Sequence, residues 1–200
     1  MATKIWRGDA VAVSQVNHIT IAGTWANTEA VTVKINDVSD NPVKAFKLTV
    51  DNVAGRTVEE VVDAIISAWN SGTQDASFLL DKNVSEAGEL AAITASKSGT
   101  TIVVLTADTP GVPFVQTSTE DAAAGTAVTT IPTDSSGPNH WDDAGNWFLP
   151  GGVAAAPIAA DSVYIQDTDV DILYGLNQTA IKLALLQVDA SFTGTIGLPR

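Results

Sequence analysis

Cysteine is absent from this chain of 200 residues. Disulfides, thiolate nucleophiles and cysteine-based zinc sites are therefore excluded. Charged residues are also scarce, at 16% of the chain against about a quarter in an average soluble domain. A coiled coil and a charge-rich disordered segment both need dense charge, so the composition excludes them as well. The length is sufficient for one large domain or two small ones with a buried core.

Basic residues are few. Lys and Arg total 10 against 23 Asp and Glu, which gives a formal net charge of −13 at pH 7. An acidic surface repels phosphate backbones and anionic headgroups. We therefore predict that the chain binds neither nucleic acid nor a membrane.

Long apolar runs are missing too. The first ten residues, MATKIWRGDA, lack the apolar core of about 7–15 residues that a secretory signal peptide requires. No run of about 18 apolar residues is present to span a bilayer. The sequence thus predicts a protein made in the cytoplasm, without a signal peptide or a transmembrane segment.

Residues 1–118 carry the pattern of an α+β module. Alternating apolar residues predict strands before a single helix, at residues 11–23, 30–35 and 43–50. Strand-like runs follow the helix at residues 77–80, 90–95, 100–107 and 112–117. The runs at 77–80 and 90–95 are short, and we summarise the order of the module as β-β-β-α-β-β-β.

The amphipathic helix is predicted at about residues 57–71. Thr57 is a good N-cap, and Glu60 stands three residues later, as a capping box requires. Val61, Ile65 and Trp69 recur every four residues and predict one buried face. Gly72 is placed to end the helix.

The second half of the chain changes character. Residues 119–138 are rich in Ala, Thr, Ser and Pro, and they predict a linker. Residues 139–200 carry short strand-like runs at 161–165, 170–173, 181–188 and 191–196, which predict a small all-β domain of the sandwich or solenoid type. We expect this domain to be either continued in a longer parent chain or completed by other subunits.

Several motifs carry a family resemblance. They are ITIAGTW at 19–25, KLTVDNVAGRTVEEVVDAIISAWNS at 47–71, TTIVVLTADTPGVPF at 100–114, GPNHWDDAGNW at 137–147 and FTGTIGLP at 192–199. Together they resemble a module of tailed-phage virion structural proteins that also recurs in some bacterial surface proteins. The likeness covers most of the chain. It departs at Asn36-Asp37, where the family usually has Asn-Gly.

The resemblance implies a structural part of a phage particle, of the tail, decoration or fibre-anchor kind. The residues themselves offer no enzyme motif, since GxSxG, Walker and Rossmann patterns are all missing. We therefore predict a non-enzymatic virion protein.

Three carboxylates form a candidate metal site. Asp167, Asp169 and Asp171 alternate along the chain, and on a strand they would share one face. One interpretation is a calcium site, although Ile172 and Gln178 stand where an EF-hand needs Gly and Glu. The other interpretation is a solvated turn without any cofactor.

Aromatic residues form a candidate interface. Trp6 and Arg7 are frequent interface types and lie near the N-terminus of an acidic chain. Alternatively, Trp6 packs on the edge strand of its own module. Trp141, Trp147 and Phe148 are predicted to anchor the entry of the second module, where Asp142 or Asp143 caps a short helical turn; they complete the predicted interface.

Two functions follow from these patterns. The first is assembly: copies of the chain form a homo-oligomer, a trimer by analogy with fibre-like proteins, and dock on capsid or tail proteins of the virion. The second is an adhesin or carbohydrate-binding module of a phage fibre or bacterial surface, dependent on calcium at the three aspartates.

Overall fold

The computed structural model describes residues 2–36, 42–84 and 93–198. The chain divides into two compact units. Ser14–Asp134 forms the first, which we call the inserted unit. The second, the discontinuous unit, joins Met1–Val13 to Ser135–Arg200.

The strands and the helix are numbered in chain order. They are β1 Thr3–Trp6, β2 Val16–Ala22, β3 Ala30–Asn36, β4 Pro42–Val50, α1 Val58–Ser71, β5 Phe78–Val84, β6 Ile93–Ser98, β7 Ile102–Ala107, β8 Val115–Asp121, β9 Thr126–Thr133, β10 Trp147–Phe148, β11 Ser162–Ile165 and β12 Leu185–Val188.

Two four-stranded antiparallel sheets build the inserted unit. Their strand orders are β5-β4-β3-β8 and β6-β7-β2-β9. Alternation along each strand turns one face inward, as β3 shows by burying Val31, Val33 and Ile35. The apolar faces of both sheets share one core with the helix.

Helix α1 forms as its sequence predicts. The Thr57 side chain accepts from the backbone N–H of Glu60, and the Glu60 carboxylate accepts from that of Thr57. Gly72 ends the helix with φ at 63°, a left-handed conformation that glycine adopts without a Cβ clash. On the buried face, Trp69 donates its indole N–H to the carbonyl of Ile93 at 2.8 Å.

A buried amide network joins the two sheets. Gln15 donates to the carbonyl of Phe114 at 2.7 Å and accepts from the Phe114 N–H at 3.0 Å. The same Gln15 amide donates to Asn17 at 2.9 Å, and Asn17 donates to Gln116 of β8 at 3.4 Å. Gln116 in turn donates to Thr129 of β9 at 2.9 Å. These amides are buried, so their mutual bonds fix the alignment of the two sheets.

A mixed sheet, in the order β10-β1-β11-β12, organises the discontinuous unit. β1 runs antiparallel to β10 and parallel to β11, and β11 runs parallel to β12. Its core is a second cluster of buried residues, which comprises Trp6, Trp141, Trp147, Val163, Ile165 and Ile172.

The predicted fold class is confirmed as a β-rich α+β fold with one helix in the described residues. The predicted module boundaries are corrected. β1 was missed and belongs with the second unit, and the predicted linker 119–138 contains the end of β8 and all of β9. The small and polar residues of β9 are typical of a linker when only their neighbours in sequence are considered. They form a strand because β9 pairs with a strand far away in the chain.

Two predicted strands are also wrong, because residues 170–173 and 191–196 contribute only the isolated bridge between Ile172 and Ile196. Asp37 and the start of the predicted strand 90–95 lie outside the described residues. In the part of the chain that is described, no helix is long and apolar enough to cross a membrane.

We predict that Gln15→Ala destabilises the inserted unit by about 1–3 kcal/mol, because it leaves the buried N–H and C=O of Phe114 without partners. Denaturant unfolding followed by tryptophan fluorescence measures the change. Gln74→Ala is the matched control, since Gln74 is exposed. Equal stability of the two variants would show that the network does not hold the sheets.

Candidate functional site

Three tryptophans form the centre of the discontinuous unit. The rings of Trp6 and Trp147 meet edge to face with centroids 5.1 Å apart, and those of Trp141 and Trp147 meet at 4.7 Å. Trp147 donates its indole N–H to the carbonyl of Trp141 at 2.7 Å, and Trp6 donates to that of Val170 at 3.2 Å. All three side chains are buried.

The predicted interface is therefore corrected for Trp6, Trp141 and Trp147, which are core residues. Large indole rings gain most from burial, and here the unit buries them within itself. Phe148 is exposed and Arg7 is partly buried, and the Arg7 guanidinium lies 5.7 Å from the centre of the Phe148 ring. The two side chains thus lie next to each other, Arg7 directly after β1 and Phe148 at the end of β10.

Asp143 caps a short 3-10 turn at Ala144–Asn146, as predicted. The buried Asn146 beside it was not predicted. Its side chain accepts from the N–H of Ala10 at 2.9 Å and donates to the carbonyls of Gly137 and His140, each at 2.7 Å. Asn146 thus joins the first segment of the discontinuous unit to the second.

Asp161 holds the N-terminal strand in place and was also missed. Its buried carboxylate accepts from the N–H of Ala2 at 2.8 Å and from that of Ile158 at 3.2 Å. These backbone bonds, that of Ala2 first, and the nearby Lys4 ammonium lower the pKa of Asp161 below its ordinary value. The carboxylate thereby fixes β1 beside β11.

Three layers of extended chain lie side by side in this unit, and we call them the stack. On one side of the stack, β1 lies in the first layer, β11 in the second and β12 in the third, with parallel pairing between neighbours. The register aligns Lys4 with Val163, and Val163 with Leu186. Each layer therefore repeats the inward and outward positions of the layer before it.

The other side of the stack repeats in the same way. His140 pairs with Tyr174, and Ile172 pairs with Ile196, both in parallel. Position 162 pairs with 185 and position 172 with 196, which are separations of 23 and 24 residues. This single parallel step resembles one turn of a β-solenoid, one of the two predicted options, although the step before it joins distant parts of the chain.

The third layer, residues 184–197, is open, and we call it the end layer. Val163 is 0% exposed, whereas Leu186, which follows it in the same inward column, is 54% exposed. Val188 is 49% exposed below the buried Ile165, and Ile196 is 48% exposed below the buried Ile172. In the described part of the chain, no strand pairs with the outer edge of β12.

The opposite end of the stack is closed. β10 pairs antiparallel with the outer edge of β1, at Ile5 with Phe148 and at Trp6 with Trp147. The antiparallel strand stops the parallel repeat and covers the first layer. In the described residues, the free edges of this sheet are therefore the two-residue β10 at one end and the four-residue β12 at the other.

The three aspartates of the predicted metal site do not lie on one strand. Asp167 has φ at 54°, and the segment 166–171 contains no strand residues. The Asp171 carboxylate accepts from the N–H of Thr195 at 2.6 Å, so it joins the second and third layers. Among the described residues, no group of three or more His, Asp or Glu is placed to hold a metal ion.

Ser135, His140 and Asp142 lie near one another. The sequence had predicted only a helix cap in this segment, at Asp142 or Asp143. Ser135 Oγ lies 3.3 Å from His140 Nε2, and His140 Nδ1 lies 3.8 Å from Asp142 Oδ1. A hydrolytic triad needs the acid hydrogen-bonded to the imidazole, and 3.8 Å is too long for that bond. The His140 ring instead packs against Tyr174, with centroids 5.0 Å apart.

A cleft of about 330 Å³ in the inserted unit is lined in part by Arg56, Glu60 and Asp75. The carboxylates of Glu60 and Asp75 accept hydrogen bonds from nearby backbone N–H groups. The backbone N–H of Thr57 lowers the pKa of Glu60, and that of Ser77 lowers the pKa of Asp75. The end layer differs from this cleft because its exposed side chains are aliphatic and its outer strand edge is unpaired among the described residues.

Comparison with known proteins adds no assignment, since no protein-family model and no curated protein matches this chain. The function is therefore argued from the end layer.

We predict that the discontinuous unit loses stability as the pH falls below the ordinary aspartate pKa of about 3.9. The folded pKa of Asp161 is lowered, so its contribution is complete above the unfolded pKa and is lost as the pH falls through the folded pKa. Thermal unfolding between neutral pH and pH 3 measures the loss. Asp161→Asn removes this part of the pH dependence, and Asp9→Asn, at an exposed position, retains it. Parallel pH profiles of both variants would contradict the role of Asp161.

We also predict that calcium and chelator leave the melting temperature unchanged, because Asp171 is engaged by Thr195 and the three aspartates do not converge. Thermal unfolding with added CaCl₂ and with EDTA tests this. A rise in calcium that Asp169→Asn abolishes would restore the calcium-site interpretation.

Proposed function

We propose that this chain is a non-enzymatic structural component of a phage particle, which acts by self-assembly and by docking on capsid or tail proteins. The observation that carries the proposal is the end layer, which exposes inward-facing aliphatic side chains on an unpaired strand edge. The resemblance of the motifs to virion structural proteins is the reason for proposing a phage particle as the assembly to which the chain belongs.

Exposed aliphatic side chains favour association because their burial removes apolar surface from water. Burial of a Leu or Val side chain contributes roughly 1.5–3 kcal/mol. The end layer offers three such side chains at about half exposure: Leu186, Val188 and Ile196. Apolar side chains that are exposed together on one layer favour an interaction surface there.

The unpaired backbone of β12 supports the same role. An edge strand presents a row of N–H and C=O groups that another strand can pair with. β11 already shows this mode of pairing on the inner side of β12. A partner strand on the outer side would extend the sheet and cover the aliphatic side chains in one step.

We predict that the chain self-associates, so that its mass in light scattering rises above 20.7 kDa with increasing concentration. The double variant Leu186→Lys, Val188→Lys weakens the association at least about tenfold, because each substitution replaces buried apolar surface with charge. Circular dichroism confirms that the variant is folded.

Leu79→Lys is the matched control, since Leu79 is 56% exposed and lies on β5 of the inserted unit. It leaves the association unchanged. A mass of 20.7 kDa at every concentration tested would contradict self-assembly of this chain.

A further inference from the structure

We infer that the end layer binds the end layer of a second copy of this chain, with the two β12 strands antiparallel across a twofold axis. The inference rests on the proposed function and names the partner and the contact. Three observations carry it: the character of the edge strands, the local charge and the geometry of the open layer.

The edge strands of the three sheets differ in how they resist pairing. Charge and proline are the devices that keep sheet edges from associating. The edges of the inserted unit carry them, namely Lys97 on β6, Pro132 on β9, Asp81 on β5, and Glu120 and Asp121 on β8.

β12 carries neither device. Its sequence is Leu-Leu-Gln-Val, and among the edge strands of the described residues only the two-residue β10 likewise lacks charge and proline. β12 is therefore the edge best suited to pair with another strand.

The local charge favours a second copy. The chain has a net charge of −13, so two copies repel each other over most of their surfaces. Residues 183–198 contain a single charged side chain, Asp189. Two copies that meet through this segment bring few like charges together, so the repulsion between them is low at this contact.

The geometry of the layer suits a twofold contact. An axis normal to the β12 sheet makes the two β12 strands antiparallel and keeps Leu186 and Val188 of both copies on the inner face. The same axis brings the two copies of Ile196 to the same apolar interior. Both halves of such a contact are identical, so it closes at two copies. A dimer is then expected in place of the trimer that the resemblance suggests.

A single engineered thiol tests the contact. The chain has no cysteine, so Gln187→Cys creates a unique thiol on β12 without touching the inward side chains. Gln187 and its twofold mate lie close across the antiparallel pair. A short bismaleimide is therefore expected to yield a covalent dimer of Gln187→Cys, and light scattering is expected to give twice the chain mass.

Two matched variants control the experiment. Gln74→Cys places the thiol at an exposed position of the inserted unit and is expected to yield no covalent dimer. Leu186→Lys added to Gln187→Cys is expected to abolish the cross-link, whereas Leu79→Lys added to Gln187→Cys is expected to retain it.

The outcomes separate this inference from the proposed function. An association that survives Leu186→Lys, gives a trimeric mass, or leaves Gln187→Cys uncross-linked overturns the twofold contact while self-assembly stands. A chain that remains monomeric in light scattering overturns both. A dimer that cross-links through position 187 and dissociates with Leu186→Lys supports the inference.

Discussion

The parallel pairing of β1 with β11 is the interaction on which the discontinuous unit depends. It joins Thr3 to Ser162 across almost the whole chain, and the Asp161 carboxylate secures it through the N–H of Ala2. β1 places Trp6 in the aromatic core, and its other edge pairs with β10. Without this pairing, the second layer of the stack would lose its neighbour, and the tryptophan cluster would lose its most buried member.

Similar aliphatic side chains differ in solvent exposure according to the layer of the stack in which they lie. Inward aliphatic side chains in the second layer are buried by the layers on either side, whereas those of the third layer have a neighbour on one side only. Leu186 and Val188 occupy the same inward positions as the buried Val163 and Ile165. They are exposed because, among the described residues, no further layer packs on the third one. This asymmetry, closed by β10 at one end and open at β12, connects the architecture with assembly.

The inserted unit is held by interactions of another kind. Its two sheets share an apolar core with α1, and the buried amides of Gln15, Asn17 and Gln116 fix how the sheets align. Buried amides are costly unless paired, so the network favours the arrangement of the two sheets in which these hydrogen bonds form. Its carboxylates and lysines serve caps and ion pairs, as in the contacts of Lys97 with Glu59 and Asp63.

The features that depend on neighbouring residues could be predicted from the sequence. These features are the capping box of Thr57 and Glu60, the face of α1, the strand alternation and the cap at Asp143, and each involves residues only a few positions apart in the chain. The partners of β1, the burial of Trp6 and, among the described residues, the unpaired outer edge of β12 became visible in the folded structure alone. The physical reason is that strand partners and burial arise from contacts far apart in the chain, and local periodicity does not encode them.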